Sequence, residues 1–179
     1  RALALHCASL GMKLALLDMQ RPGLEEVRAE IALPREDVLL RHCDVADPLS
    51  VEATASAVYE ELGGADLLFN NAGVFTGGPV WKASPEEWQW QFGVNVMGIA
   101  NGLRSFVPRM LEQGGGGHII NTSSMGGHVA LRGIGVYCAT KHAVVAISEA
   151  LYHDLRAAGS DIGVSVLCPA FVKTGIAET

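Results

Sequence analysis

Apolar positions along the chain follow two rhythms. Leu14 to Leu17, Val38 to Leu40, Leu67 to Phe69, His118 to Asn121 and Val164 to Leu167 are short, mostly continuous apolar runs. Runs of that length suit strands buried on both faces, the habit of a parallel sheet. Longer stretches lie between them and predict helices. One opens with Asp47-Pro48, a cap followed by proline at the first helical position. A second opens with Ser84-Pro85-Glu86-Glu87, the sequence of a capping box, and continues to Glu112. Along it Trp88, Phe92, Val96, Ile99, Leu103 and Phe106 return at three- and four-residue steps and predict one apolar stripe. A third helix is expected from Val136 to Ala158, stopped by Gly159. Arg1 to Leu10 reads as a helix capped by Gly11. Strand–helix alternation predicts an α/β fold, a doubly wound parallel sheet in a single domain over residues 1–179. The glycines from Gly114 to Gly117 read as a surface turn, since a phosphate loop has its strand before it and its helix after.

Composition narrows the classes. A chain of 179 residues with 49% hydrophobic and 18% charged residues can bury a core and is not a disordered segment. No apolar run approaches the roughly 18 residues of a membrane helix. The net charge is −6 and the basic residues are scattered, which excludes nucleic acid as a partner. Four cysteines without a CxxC pair read as reduced thiols of a cytoplasmic protein, in preference to a metal site or a disulfide framework. The six histidines are scattered and suggest no metal. The first residue is Arg1, so the true N-terminus is left open.

Polar residues gather where the strands end: Asp18, Asp44, Asn70-Asn71, Ser123-Ser124 and the Pro169 segment. In open α/β sheets the ligand crevice lies beyond those carboxyl ends. Tyr137 and Lys141 are four residues apart on a predicted helix, so they share a face. A tyrosine titrates near 10, and a neighbouring ammonium favours the phenolate, which makes it a usable proton donor and acceptor. Spacing alone is weak evidence, but Ser124 ends a strand 13 residues before Tyr137 and its hydroxyl could hold a carbonyl oxygen there. Asn70-Asn71-Ala72-Gly73 follows another strand, with Gly73 open to close approach by a ligand. Asn95 sits inside an otherwise apolar helix, where an amide needs a partner.

Asn70-Asn71-Ala72-Gly73, Val94-Asn95-Val96, Asn121-Thr122-Ser123-Ser124, Tyr137-Cys138-Ala139-Thr140-Lys141 and Pro169-Ala170-Phe171-Val172-Lys173-Thr174 together resemble the ordered motifs of short-chain dehydrogenases. The resemblance covers nearly the whole chain and implies a Rossmann-like fold and hydride transfer between NAD(P) and an alcohol or ketone. It implies that Tyr137 moves the substrate proton, that Lys141 lowers the tyrosine pKa and holds the nicotinamide ribose, that Ser124 binds the substrate oxygen, and that Asn95 anchors a water. Ser123 would serve the strand end. Asp18 matches the acid that grips the adenosine ribose and repels a 2′-phosphate, which favours NAD; Arg21 nearby keeps NADP open. Asp44 and Val45 would flank the adenine, Asn71, Ala72 and Gly73 would line the cofactor backbone, Val172 would meet the carboxamide through its main chain, and Thr174 would reach the carboxamide or the pyrophosphate. Dimers or tetramers through the two long helices are implied as well.

Two departures stand out. Ala170 occupies a position where the family pattern has glycine, and the glycine-rich pyrophosphate loop is not among these residues. The resemblance also places a central strand before Arg1 and a substrate-covering segment after Thr179. Residues 1–179 expressed alone are therefore expected to be insoluble or free of cofactor, because unpaired strand edges and a missing anion cradle would result. An extended-family epimerase or dehydratase, and a non-catalytic dinucleotide-binding regulator, are the competing readings. The Asn-Asn-Ala-Gly motif speaks against the first and the paired Tyr137 and Lys141 against the second. Thr76, His128, Leu131 and Phe171 are candidates to face a substrate of unspecified identity.

Overall fold

The computed structural model describes residues 1–170 and 172. The elements are α1 (Ala2–Ser9), β1 (Leu14–Asp18), α2 (Arg21–Ala29), β2 (Val38–His42), α3 (Pro48–Leu62), β3 (Leu67–Asn70), α4 (Pro85–Phe92), a π-helical turn (Gly93–Met97), α5 (Gly98–Gln113), β4 (Gly117–Thr122), α6 (Gly135–Ala157) and β5 (Ile162–Leu167). All predicted strands are present, each within two residues of its expected start. The chain divides into two compact units, Arg1–Ala65 and Asp66–Thr179, where the apolar pattern predicts one domain.

In the first unit β1 and β2 pair in parallel, from Leu14 opposite Val38 to Asp18 opposite His42. The pair is less enclosed than expected. Leu14, Val38 and Leu39 are buried, but Leu17 is 37% exposed. Helix α3 begins as its sequence dictates: Asp47 accepts a hydrogen bond from Leu49 N at 3.0 Å, Pro48 follows, and Gly63 closes the helix at φ 90°. Its inner face is Val51, Thr54, Ala55, Ala57 and Val58.

In the second unit β4 lies between β3 and β5, all parallel, with Asn70 opposite Asn121 and Thr122 opposite Leu167. The described strands thus pair as β1–β2 in the first unit and β3–β4–β5 in the second, all parallel as the α/β reading predicts. The four glycines before β4 all have positive φ, 70° to 137°, as a turn of that composition allows. The predicted capping box is formed: Ser84 Oγ accepts from Glu87 N at 3.2 Å and Glu87 Oε2 accepts from Ser84 N at 2.8 Å.

The long helix expected after Ser84 is broken by the π turn around Asn95, and its buried face is not the predicted stripe. Ile99 and Phe106 are buried, whereas Trp88, Phe92, Val96 and Leu103 are half-buried. The deepest face is polar and small, made by Gln91, Asn95, Gly98, Gly102 and Ser105. The reason is close approach: a side chain at Gly102 would run into Asn70 Oδ1. Among the described residues no helix is long and apolar enough to cross a membrane.

Candidate active site

The site in the second unit is assembled from the end of β4, the first turns of α6 and the loop after β3. Ser123 is buried and its hydroxyl donates to the Lys141 carbonyl at 2.8 Å, fixing β4 against α6. Gly127 makes that contact feasible, because a Cβ there would lie 2.8 Å from Lys141 O. Ser124, next in sequence, is half-buried; its Oγ accepts from Gly126 N at 3.1 Å, and its hydroxyl lies near enough to Tyr137 to act on the phenol's titration.

Helix α6 starts just before Tyr137 and carries Lys141 one turn later. Lys141 is 2% exposed, and its ammonium donates to Thr122 O at 2.9 Å. The Nζ atom stands over the Tyr137 ring, 5.6 Å from its centroid. Phe75 packs edge-on to the other flank of Tyr137, with ring centroids 5.3 Å apart.

Burial dominates Tyr137 and pushes its phenol above the ordinary value of 10.0; the Ser124 hydrogen bond pulls it back, and Cys138 adds to the rise. Burial likewise lowers Lys141 from 10.5 to about 8, with Cys168 acting in the opposite sense. In this state the Lys141 ammonium gives one of its donors to a main-chain carbonyl, and burial favours its neutral form.

Asn95 is wholly buried in the π turn. Its Nδ2 donates to Val74 O at 2.9 Å and to Thr140 Oγ1 at 3.1 Å, and its Oδ1 accepts from Val74 N at 2.8 Å. Thr140 in turn donates to Tyr137 O at 2.7 Å. Every polar group of that amide is used within the protein, so Asn95 ties the loop after β3 to the tyrosine's helix. A Cβ on Gly73 would stand 3.4 Å from both Asn95 Oδ1 and Lys141 Nζ, which brings Gly73, Asn95 and Lys141 to one point. Asn71 is exposed and accepts from Thr122 Oγ1 at 3.1 Å; Ala72 is exposed beside it.

Sequence reasoning missed a second polar set beneath the site. Asn70 Nδ2 donates to Asn121 Oδ1 at 2.8 Å, Asn121 Nδ2 to Ser148 Oγ at 3.0 Å, and Ser148 to Val144 O at 2.7 Å. It missed Gln91 too, which is wholly buried and bonded to Thr76. Gln91 stands four residues before Asn95, so the helical face already picked out by Asn95 could have revealed it. Of the substrate-facing candidates, Thr76 is held by Gln91, His128 Nε2 lies 3.3 Å from Cys168 Sγ, and Leu131 is exposed. Phe171, Lys173 and Thr174 lie outside the described residues, and Val172 is exposed.

In the first unit, Asp18 is exposed at the end of β1, with Oδ1 accepting from Gln20 N at 2.8 Å. Asp44 Oδ1 accepts from Ala46 N at 2.9 Å, and Val45 is half-buried next to it. Arg21 is paired with Glu25 at 3.9 Å. Among the described residues no group of three or more His, Cys, Asp or Glu side chains is arranged to hold a metal ion.

The comparison with known proteins follows the same lines. The family model for short chain dehydrogenase matches residues 1–179. A CLA biosynthesis dehydrogenase/reductase of Lactiplantibacillus plantarum is 33% identical, over 100% of this chain and 63% of its own length. A 1-deoxy-11-beta-hydroxypentalenate dehydrogenase of Streptomyces exfoliatus is 36% identical, over 99% of this chain and 64% of its own. A crystallised short chain dehydrogenase/reductase from Burkholderia phymatum, in complex with NAD, superposes with a TM-score of 0.94 at 48% identity, covering 99% of this chain and 63% of that one. The chain thus spans less than two thirds of the length of these relatives. With the family's model matched from the first residue to the last, the chain belongs to the short-chain dehydrogenase/reductase family.

Proposed function

We propose that this protein is an oxidoreductase that transfers hydride between a nicotinamide dinucleotide and an alcohol or ketone, with Tyr137 as its general acid and base. The observation that carries the proposal is the convergence of Ser124, Tyr137 and Lys141: a hydroxyl near enough to the phenol to favour its charged form, and an ammonium 5.6 Å from the centroid of the same ring.

The residues present fit the cofactor. Lys141 spends one donor on Thr122 O, and an ammonium has three, so two stay available for a ribose diol. Glycine at position 73 leaves open the space a Cβ would fill between Asn95 and Lys141. In this reading Asn71, Ala72, Gly73, Tyr137 and Lys141 hold the nicotinamide nucleoside, and Val172 and Thr174 meet the carboxamide. Asp18 takes the adenosine ribose with its second carboxylate oxygen, and Asp44 and Val45 take the adenine. Asp18 makes NAD the preferred cofactor, and the Glu25 pairing of Arg21 weakens the case for NADP. The nicotinamide, when bound, supplies the hydride acceptor or donor.

Ser124 donates to the substrate oxygen and orients it beside Tyr137. Tyr137, protonated in this state, gives its proton to a ketone oxygen during reduction. In the alcohol direction the phenolate must take the substrate O–H proton, so oxidation speeds up as pH rises and reduction as it falls. Asn95 and Thr140 set the angle of the tyrosine's helix turn; the family's water-anchoring role for Asn95 is part of this proposal. A cytoplasmic homo-oligomer built on α4–α5 and α6 completes the reading.

The test, run on the complete protein as parent, is absorbance of the reduced nicotinamide with a panel of secondary alcohols and ketones. Turnover in the parent protein and a loss of about 10²–10³ in Ser124→Ala are expected. Equal turnover in both would remove Ser124 from the mechanism.

A further inference from the structure

Two amides on one helical face grip the loop after β3. Asn95 holds Val74 through both its backbone N–H and its carbonyl. One turn earlier, wholly buried Gln91 donates from Nε2 to Thr76 Oγ1 at 2.7 Å and accepts from Thr76 N at 3.4 Å. Between the two gripped residues lies Phe75, whose ring packs edge-on to Tyr137. Thr76 also lines a cleft of about 170 Å³ whose other walls include Pro79, Glu87 and Val136, the neighbour of Tyr137.

Packing alone does not call for glutamine at this place. A buried amide contributes little net stability when satisfied and costs about 1–3 kcal/mol when its partner is lost, so an aliphatic side chain would fill the space with less at stake. What glutamine adds is direction: it fixes both where Thr76 sits and which way its hydroxyl points.

We propose that Gln91 is a positioning residue for Tyr137: by clamping Thr76 it holds the Phe75 ring against the phenol and shapes the cleft alongside it. The clamp acts at second hand, through Thr76 and Phe75, and its catalytic meaning rests on the reading of Tyr137 given above. It predicts that the loop's geometry, and not only the fold's stability, answers to position 91.

Three variants separate those effects: Gln91→Leu, Thr76→Val, and the two combined. Gln91→Leu strands the Thr76 hydroxyl and lowers Tm. The combined variant removes both side-chain partners and recovers most of that loss. Two readouts are then compared with the parent. The first is the aromatic NMR signal of Tyr137 in protein labelled with ¹³C-tyrosine, assigned by its disappearance in Tyr137→Phe. The second is the kcat and KM pair for the best alcohol or ketone. The clamp predicts that the combined variant, though stable, shows a displaced Tyr137 signal as Phe75 loosens, and a roughly tenfold fall in kcat with NAD affinity within twofold. A combined variant with the parent's Tm, Tyr137 signal and kcat overturns the proposal. Should Tyr137→Phe turn over as fast as the parent, the acid–base reading fails separately, and the NMR signal alone decides the clamp.

Discussion

Helix α3 and the helical run from α4 through α5 start alike and both bury apolar residues, but the second also buries the amides Gln91 and Asn95. Both open with a side-chain cap followed by proline, Asp47-Pro48 in one and Ser84-Pro85 in the other. Helix α3 then turns Val51, Ala55, Ala57 and Val58 inward and ends on a left-handed glycine. The second run turns Gln91, Asn95, Gly98, Gly102 and Ser105 inward and is interrupted by a π turn at Asn95. An apolar face needs only to be dry, whereas a polar face needs named partners at fixed distances. The first kind of helix holds a fold together; the second holds a site in one geometry, and π turns concentrate at such sites.

Substitutions that treat the two faces alike should therefore give unlike results. The largest effect is expected at buried Lys141. Holding its ammonium at about 8 in place of 10.5 costs the folded state about 3 kcal/mol at neutral pH. Between those two values the folded protein binds fewer protons than the unfolded chain, so stability rises with pH across that window, and the full cost is felt below about pH 8. Lys141→Met should raise stability at pH 7 by up to about 3 kcal/mol, flatten that rise, and abolish turnover. Urea midpoints from pH 7 to 10 in both proteins measure it.

Gly102→Ala comes next. The added methyl meets Asn70 Oδ1, whose amide is already committed to Asn121, so about 2–3 kcal/mol should be lost. In α3 the reverse exchange at buried Ala57, to glycine, should cost only about 1 kcal/mol. Thermal melts of the two variants side by side make the contrast.

A third pair removes a hydrogen bond from each helix. Asn95→Leu strands Val74 N–H, Val74 O and Thr140, and should cost about 2 kcal/mol. Thr54 in α3 only donates to Ser50 O one turn back, so Thr54→Val should stay below about 1 kcal/mol. Smallest is the cap: Asp47→Ala should cost about 1 kcal/mol, by the same measurement.

The comparison also explains what could be read from the chain alone. Caps and stops are local, so Asp47, Ser84 and Gly159 announce themselves within a few residues, and short apolar runs located the five strands among the described residues. The Tyr137–Lys141 pair is local as well, one turn of one helix. The polar face was hidden because its partners are remote in sequence: Gln91 finds Thr76, Asn95 finds Thr140, and Asn121 finds Ser148. A periodicity that counts only apolar residues points to Trp88 and Phe92 and passes over the amides between them. The protonation of Tyr137 was hidden for a related reason. Spacing reports that a lysine is near, but only the fold reports that it is buried and bonded to Thr122 O.

The central claim is that the Tyr137 phenol moves the substrate proton. It is tested most directly by a single-turnover experiment in which Tyr137→Phe and the parent protein are each mixed with NAD and a reactive alcohol, with NAD binding measured alongside. A phenylalanine keeps the ring against Phe75 and removes only the hydroxyl. NAD binding within a few-fold of the parent, with hydride transfer slowed by about 10³ or more, is the predicted result. Transfer at the parent's rate, with binding intact, would contradict the account.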